Sequence, residues 1–358
     1  MPTLVGGGRR PLLGPSPRIL VIRLRRFGDL LLITPTLRAI RLAYPNARLD
    51  VLASAGFHHA LLGNRQIDEL LVLRPGFVSL MRLAMRCRRG RYDAVLDLQS
   101  SGRSLPLVLS TGAPVRVGWK KRWARDWVFT RRVPGWDDPV YVAGNTLRMA
   151  AAVDVPPPPD LRLELAVSAA DRARAAALCE RAGVDPARPF IALSVVANVP
   201  RKAWPLERYA QLADWLVQTH GAQLLLSSAA GEISQVEAVV ARMCERPILW
   251  NYGETSLHEL GALYERCQLW IGNDGGPKHV ATAVGCPTVV IIKPGDERFW
   301  TDGTEGSGQL AVRPAPGARP LDSPTAISVD DVQAVVDRCL ASRGMRRAGR
   351  TVRSPLPG

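Results

Sequence analysis

The sequence predicts an α/β protein built of two doubly wound, Rossmann-like domains, and three observations predict it. Short apolar runs with β-branched residues recur along the chain, segments of helical spacing lie between them, and the rhythm breaks at a proline run, VPPPPD (residues 155–160), before it resumes. Such alternation builds parallel sheets covered by helices. At 358 residues the chain is about twice the usual domain size, which also favours two domains.

Residues 1–17 are rich in Gly, Pro and Arg without periodicity and read as a loose arm. RILVIRL (18–24) reads as a strand, followed by a short loop and a helix over 30–43, with Pro35 near its first turns. LDVLA (49–53), LLVL (70–73) and DAVLDL (93–98) read as further strands of a first domain spanning 18–155. Residues 156–165 are a stiff proline-rich linker. In the second domain, 166–342, strands at 189–195, 222–227, 247–250, 268–271 and 287–292 alternate with helices at 206–219, 232–244, 256–266 and 277–285. Residues 343–358 form a basic tail. Ligands of such sheets bind outside the carboxyl ends of the strands, so a cleft between the two halves is the expected site.

Composition excludes several classes. With 47% apolar and 22% charged residues the chain reads as globular, neither disordered nor membrane-spanning. No apolar run reaches the roughly 18 residues of a spanning helix. The start carries no secretory apolar stretch, so a cytoplasmic location is expected. The six cysteines are scattered singly, which favours buried reduced thiols over a disulfide framework or zinc knuckle. Residues 1–160 carry 25 Lys and Arg against 11 Asp and Glu, whereas 161–342 carry 17 against 21. A basic first half points to an anionic partner or to solvated arginine. No binding module accompanies the charge, so nucleic acid is not expected. No G-x-G-x-x-G follows a strand, no P-loop or nucleophile elbow is present, and no His or carboxylate cluster calls for a metal.

Four places carry candidate chemistry. Asp29, between the first strand and its helix, reads either as a helix cap or as a general base facing the cleft. Asn273-Asp274-Gly275-Gly276 is a glycine-rich turn, with Pro277 at a helix start whose amides suit a phosphate; His279 there reads as a phosphate donor or a packing histidine. Lys202, just past the first strand of the second half, reads as a cation for a diphosphate or as a solvated loop lysine. Trp119, Trp123 and Trp127, flanked by Lys120 and Lys121, are spaced to share one helical face. That stripe reads as an interfacial helix touching anionic lipid or a glycolipid acceptor, or as core packing.

RILVIRLRRFGDLLLITPTLRAIRLAYPNARLDVLAS, then RYDAVLDLQSSGRS, RKAWPLERYAQLADWL and TSLHELGALYERCQLWIGNDGGPKHVATAVGCPTVV resemble, in order, glycosyltransferase family nine, the bacterial lipopolysaccharide heptosyltransferases. The likeness runs from about residue 18 to 340. It implies a GT-B architecture, two Rossmann-like domains facing a central cleft, with the acceptor on the first and a nucleotide sugar, typically ADP-heptose, on the second. It implies inverting transfer without a metal, with no cofactor beyond that co-substrate. Asp29 matches the family's catalytic carboxylate, Lys202 its diphosphate lysine, and Asp274, Gly276 and His279 its donor-site turn; Glu232 falls where a family acid meets the nucleoside. The chain departs from the family in three places. Gly275 replaces a Thr or Ser, the loop Ser194-Val195-Val196-Ala197-Asn198 replaces a P-G-S type loop, and Ile292-Lys293-Pro294 replaces F-G-P, adding a cation. The expected acceptor is an anionic glycolipid or oligosaccharide, with peripheral contact at the inner membrane. The alternatives are an enzyme with another donor sugar and a non-catalytic nucleotide-sugar or nucleic-acid binder.

Overall fold

The computed structural model describes residues 12–121, 126–135, 138–197, 202–228, 230–249, 255–304, 306–313 and 324–342. The chain divides into two compact units, one ending at Leu161 and the other beginning at Arg162.

The first unit runs β1 (Arg18–Ile22), α1 (Phe27–Leu31), α2 (Thr34–Ala43), β2 (Arg48–Ser54), β3 (Glu69–Leu73), α3 (Phe77–Arg89), β4 (Ala94–Asp97), α4 (Leu105–Thr111), β5 (Val115–Trp119), β6 (Arg131–Val133) and α5 (Val142–Ala151). All strands are parallel, in the order β3-β2-β1-β4-β5-β6. β1 and β4 are apolar on successive residues because both faces of a parallel sheet are covered. Leu20 and Ile22 pack with Leu52, Val95, and Leu83 and Cys87 of α3; their strand neighbours Ile19 and Val21 are equally buried and point the other way. α3 begins after Gly76, whose φ of +101° only glycine adopts easily.

The second unit runs α6 (Ala169–Ala182), β7 (Phe190–Ser194), α7 (Leu206–His220), β8 (Gln223–Leu226), α8 (Ile233–Val240), α9 (Leu257–Glu265), β9 (Leu269–Asn273), α10 (Gly276–Ala283), β10 (Thr288–Ile291), α11 (Glu297–Trp300), β11 (Gln309–Val312) and α12 (Val329–Ala341). Its strands are also parallel, in the order β11-β10-β9-β7-β8. Capping boxes start α6, α9 and α12, in which Ser168, Ser256 and Ser328 accept the amides of Asp171, Glu259 and Asp331.

The strand order of each sheet reverses once. In the first it does so between β1 and β4, and in the second between β7 and β9. These reversals matter because chains leaving adjacent strands at such a point diverge to opposite faces and open a crevice.

Several expected elements differ. The helix expected over 30–43 is two helices, α1 and α2. The strand expected at 247–250 is reduced to an isolated bridge between Leu249 and Leu225, with Trp250 outside the described residues. The tryptophan stripe does not form: Trp119 ends β5, and Trp127 lies in a short 3-10 turn, Asp126–Val128. The backbone up to Trp119 is extended because β5 pairs with β4 on one side and β6 on the other, and Gly118 lies so close to the Phe129 ring that a side chain has no room there. Trp123 lies outside the described residues. Of the six free thiols, five are buried and Cys244 is exposed.

Candidate functional site

At the reversal point of the first sheet, Asp29 occupies the first turn of α1, just beyond β1. The backbone N–H of Arg26 donates to its Oδ2 at 2.9 Å, so the carboxylate does cap the helix. The same oxygen lies 3.1 Å from Arg23 Nη2. Arg23 is buried, and its Nη1 donates to the carbonyl of Leu98 at 2.8 Å, so the end of β4 fixes the cation that fixes Asp29. Oδ1 of Asp29 carries no hydrogen bond among the described residues, and the side chain remains 22% exposed. One oxygen is therefore locked while the other is open to a proton donor.

Asp97 ends β4 beside this point and is wholly buried. Its Oδ1 accepts the amides of Gln99 and Ser100 at 3.0 and 2.8 Å, and its Oδ2 has no hydrogen-bond partner. Burial pushes its carboxyl up to about 6. Ser100 Oγ donates to the Asp97 carbonyl and accepts the Trp119 amide, and the Trp119 indole donates to the Leu98 carbonyl at 3.3 Å. Trp119 is thus a core residue rather than part of a binding surface: it braces the turn that holds Arg23. Lys121, half-buried, donates to the Gln99 carbonyl, and Lys120 is exposed.

At the reversal point of the second sheet, Ser194 ends β7 opposite Gly272 of β9. The strands approach so closely that a Cβ on Gly272 would lie 2.5 Å from the Ser194 carbonyl oxygen. Asn273 accepts the Trp204 amide at 3.1 Å and so ties the segment carrying Lys202 to the end of β9. Lys202 Nζ lies 2.9 Å from Asp274 Oδ2, while Asp274 Oδ1 is buried without a hydrogen-bond partner. Gly275 is extended and leads into α10, whose first turn holds Pro277 and receives no side-chain cap. Its first amides are left to a ligand or to solvent.

Lys278 and His279 are both buried. Lys278 donates to the Trp300 carbonyl; burial pulls its ammonium down to about 8, against the pull of Asp274 and Asp302. Burial, with Lys278 and Lys202 adding, holds His279 well below the usual histidine range, so its ring is neutral at pH 7. Such a ring has one N–H to give, as a hydrogen-bond donor rather than as a cation. Its Nδ1 is buried without a partner. Trp300 completes the group: Lys202 Nζ lies 5.7 Å from its ring centroid, and the His279 ring lies 6.3 Å from it.

The structure thus brings Lys202, Asp274, Gly275, Gly276 and His279 together, with Ser194 at the adjoining strand end. Glu232 sits farther along, half-buried at the start of α8, and Asn198 lies outside the described residues. Four residues that the motifs did not single out belong to these sites: Arg23, Asp97, Lys278 and Trp300. Arg23 and Asp97 carried one faint signal, a charge at the carboxyl end of an otherwise apolar strand. Trp300 carried none, since only tertiary folding carries α11 to α10.

Residues 80–312 match the model of the family described as glycosyltransferase family 9 (heptosyltransferase). The chain is similar to lipopolysaccharide heptosyltransferase 2 of Salmonella typhimurium, 28% identical over 298 residues, covering 79% of this chain and 84% of that one. It is 24% identical over 342 residues to lipopolysaccharide heptosyltransferase 3 of Escherichia coli, covering 89% and 98%. In fold it resembles a family 9 glycosyl transferase from Veillonella parvula, with TM-score 0.79, 23% identity and coverage of 91% and 97%. It also resembles the E. coli ADP-heptose lps heptosyltransferase II, with TM-score 0.72, 24% identity and coverage of 91% and 99%. These likenesses identify the two parallel-sheet units as a GT-B fold.

Proposed function

Because the chain belongs to glycosyltransferase family 9 and is a glycosyltransferase, we propose that it transfers a heptose from ADP-heptose to the core of a lipopolysaccharide, in one inverting displacement that needs no metal. The observation that carries this reading is the asymmetry of Asp29, one oxygen held by Arg23 and the Arg26 amide and the other open. A fixed carboxylate with one free lone-pair face at a sheet's reversal point is the arrangement a general base needs.

Asp29 Oδ1 takes the proton of an acceptor hydroxyl. The oxygen attacks the anomeric carbon of the donor, and the bond from that carbon to the diphosphate oxygen breaks with its electron pair leaving on ADP. Lys202, the first amides of α10 and the N–H of neutral His279 meet the charge on the departing diphosphate. For Lys202 this means exchanging Asp274 for phosphate, a short movement for a long flexible side chain. Glu232 and Ser194 contribute to the nucleoside and diphosphate ends. The relatives' names supply the sugar and the acceptor; the basic first half fits an acceptor that is anionic, met at the cytoplasmic face of the membrane.

A thermal-unfolding screen of ADP, GDP, UDP and CDP tests the donor, since a ligand that binds only the native state raises the melting point by mass action. ADP is expected to raise it most, and transfer from ADP-heptose is expected to survive EDTA unchanged. Stabilisation by another nucleotide alone would redirect the donor, and activity lost to EDTA but restored by Mg²⁺ would overturn the metal-free step.

A further inference from the structure

The most apolar exposed feature of the first unit is one side of α3. Phe77 is 75% exposed, Val78 61%, Met81 45% and Met85 49%. Phe77, Met81 and Met85 follow one another at four-residue spacing with Val78 beside them, so they form one stripe. The opposite side of the helix is spent on the fold: Leu83 and Cys87 are buried in the core, and Leu80 and Ala84 pack against it. Exposed large apolar side chains gathered on one helix face mark a surface that meets something other than water.

The charges around the stripe say what that is. Residues 74–91 hold six arginines and no Asp or Glu. Arg86 pairs with Glu69, and Arg88 lies against Gly112 at the end of α4. Arg74, Arg82 and Arg89 are exposed and form no ion pair among the described residues. On the helical wheel Arg82 and Arg89 fall directly beside Val78. Among the described residues no helix is long and apolar enough to cross a membrane, and α3, with 13 residues, lies far short of that. A short helix with apolar side chains flanked by arginine suits the headgroup level, with the apolar chains dipping into the acyl boundary and the guanidinium groups on lipid phosphate.

We propose that the exposed face of α3, Phe77, Val78, Met81 and Met85 with Arg74, Arg82 and Arg89, docks the first unit on the surface of an anionic phospholipid bilayer. The proposal rests on the reading that the acceptor is a lipid-borne saccharide, for which docking confines enzyme and acceptor to one plane. Of the tryptophans expected to meet a membrane or acceptor, Trp119 is buried and Trp127 is exposed.

Vesicle co-sedimentation of the full chain tests it, using phosphatidylcholine vesicles with and without phosphatidylglycerol. Binding is expected only with phosphatidylglycerol, and it is expected to weaken as salt rises. Phe77→Ser with Met81→Ser, and separately Arg82→Gln with Arg89→Gln, are each expected to lower partitioning at least about tenfold. Both double variants should keep the wild-type melting point, the wild-type shift with ADP, and wild-type transfer to a delipidated, water-soluble acceptor. Vesicle binding that is absent, or that is unchanged in both variants, would overturn the docking face while leaving the nucleotide result to judge the enzymatic reading. Conversion of a dimer to a monomer by Phe77→Ser with Met81→Ser would equally overturn it, by showing that a second copy covers the face.

Discussion

Lys202 and Asp274, 72 residues apart in sequence, are joined by a 2.9 Å contact between Nζ and Oδ2 that links the loop after β7 to the turn after β9. Only one oxygen of the carboxylate is served, because Asp274 Oδ1 is buried without a hydrogen bond. The lysine thus offsets the charge of Asp274 in the free protein, and Asp274 belongs to the turn that leads into the uncapped start of α10.

Lys202→Met should act on both counts. Removing the lysine from this partly buried pair leaves the Asp274 carboxylate without its partner and costs about 1–3 kcal/mol, which urea unfolding will show. ADP affinity, measured by calorimetry, should fall roughly 10- to 100-fold, the range of one charge-assisted hydrogen bond. Lys202→Arg should recover most of the stability and part of the affinity. Unchanged ADP affinity in the methionine variant would remove Lys202 from the donor site.

Two glycines three residues apart should behave oppositely. Gly272 faces the Ser194 backbone, where a Cβ would sit at 2.5 Å, so Gly272→Ala must push β7 and β9 apart and destabilise by roughly 1–3 kcal/mol. Gly275 is extended, and the nearest atom to a Cβ there is 3.8 Å away on Pro277. Gly275→Thr should leave the melting point within about a degree or two, and in supplying the hydroxyl usual in the family it should tighten ADP binding. A large stability loss in Gly275→Thr would contradict the geometry of this turn.

Asp97 supplies a pH test. Its carboxyl rises from the ordinary 3.8 to about 6 through burial, so between these values the folded chain holds a proton that the unfolded chain has lost. Stability from this group falls as pH rises from 3.8 through 6, and the penalty is complete above 6. Asp97→Asn keeps an oxygen for the Gln99 and Ser100 amides and carries no charge. Relative to wild type it should therefore gain stability between pH 4 and 7, by up to about 3 kcal/mol. A stability difference that stays flat across that range would show that Asp97 is not the group that titrates.

What the sequence revealed follows from what each residue must satisfy. RILVI, AVLD, FIALS and TVVI are legible because strands buried on both faces are apolar on successive residues, with polar residues only at their ends. β5 and β6, VRVGW and RRV, were missed because their charged side chains reach partners or solvent at the sheet's edge; Arg116, for instance, donates to the Val128 and Ala113 carbonyls. The four-residue tryptophan spacing suggested a helix, and the pairing of β5 between β4 and β6 overrode it, since Trp119 is the last residue of that strand. Lys202 and the NDGG turn were legible as local motifs. Their pairing, and the buried Lys278 and His279 against Trp300, depend on distances that only the folded sheet sets.

The claim at the centre of this account is that Asp29 works as a base while Arg23 merely holds it. Asn at position 29 retains an oxygen for the Arg26 amide and loses the charge and the proton affinity. The most direct measurement is the transfer rate of Asp29→Asn at saturating donor, with ADP affinity read on the same preparation. A drop of at least about 100-fold in rate with unchanged ADP affinity is the predicted result. Transfer at the wild-type rate would contradict it and leave Asp29 as a helix cap paired with Arg23.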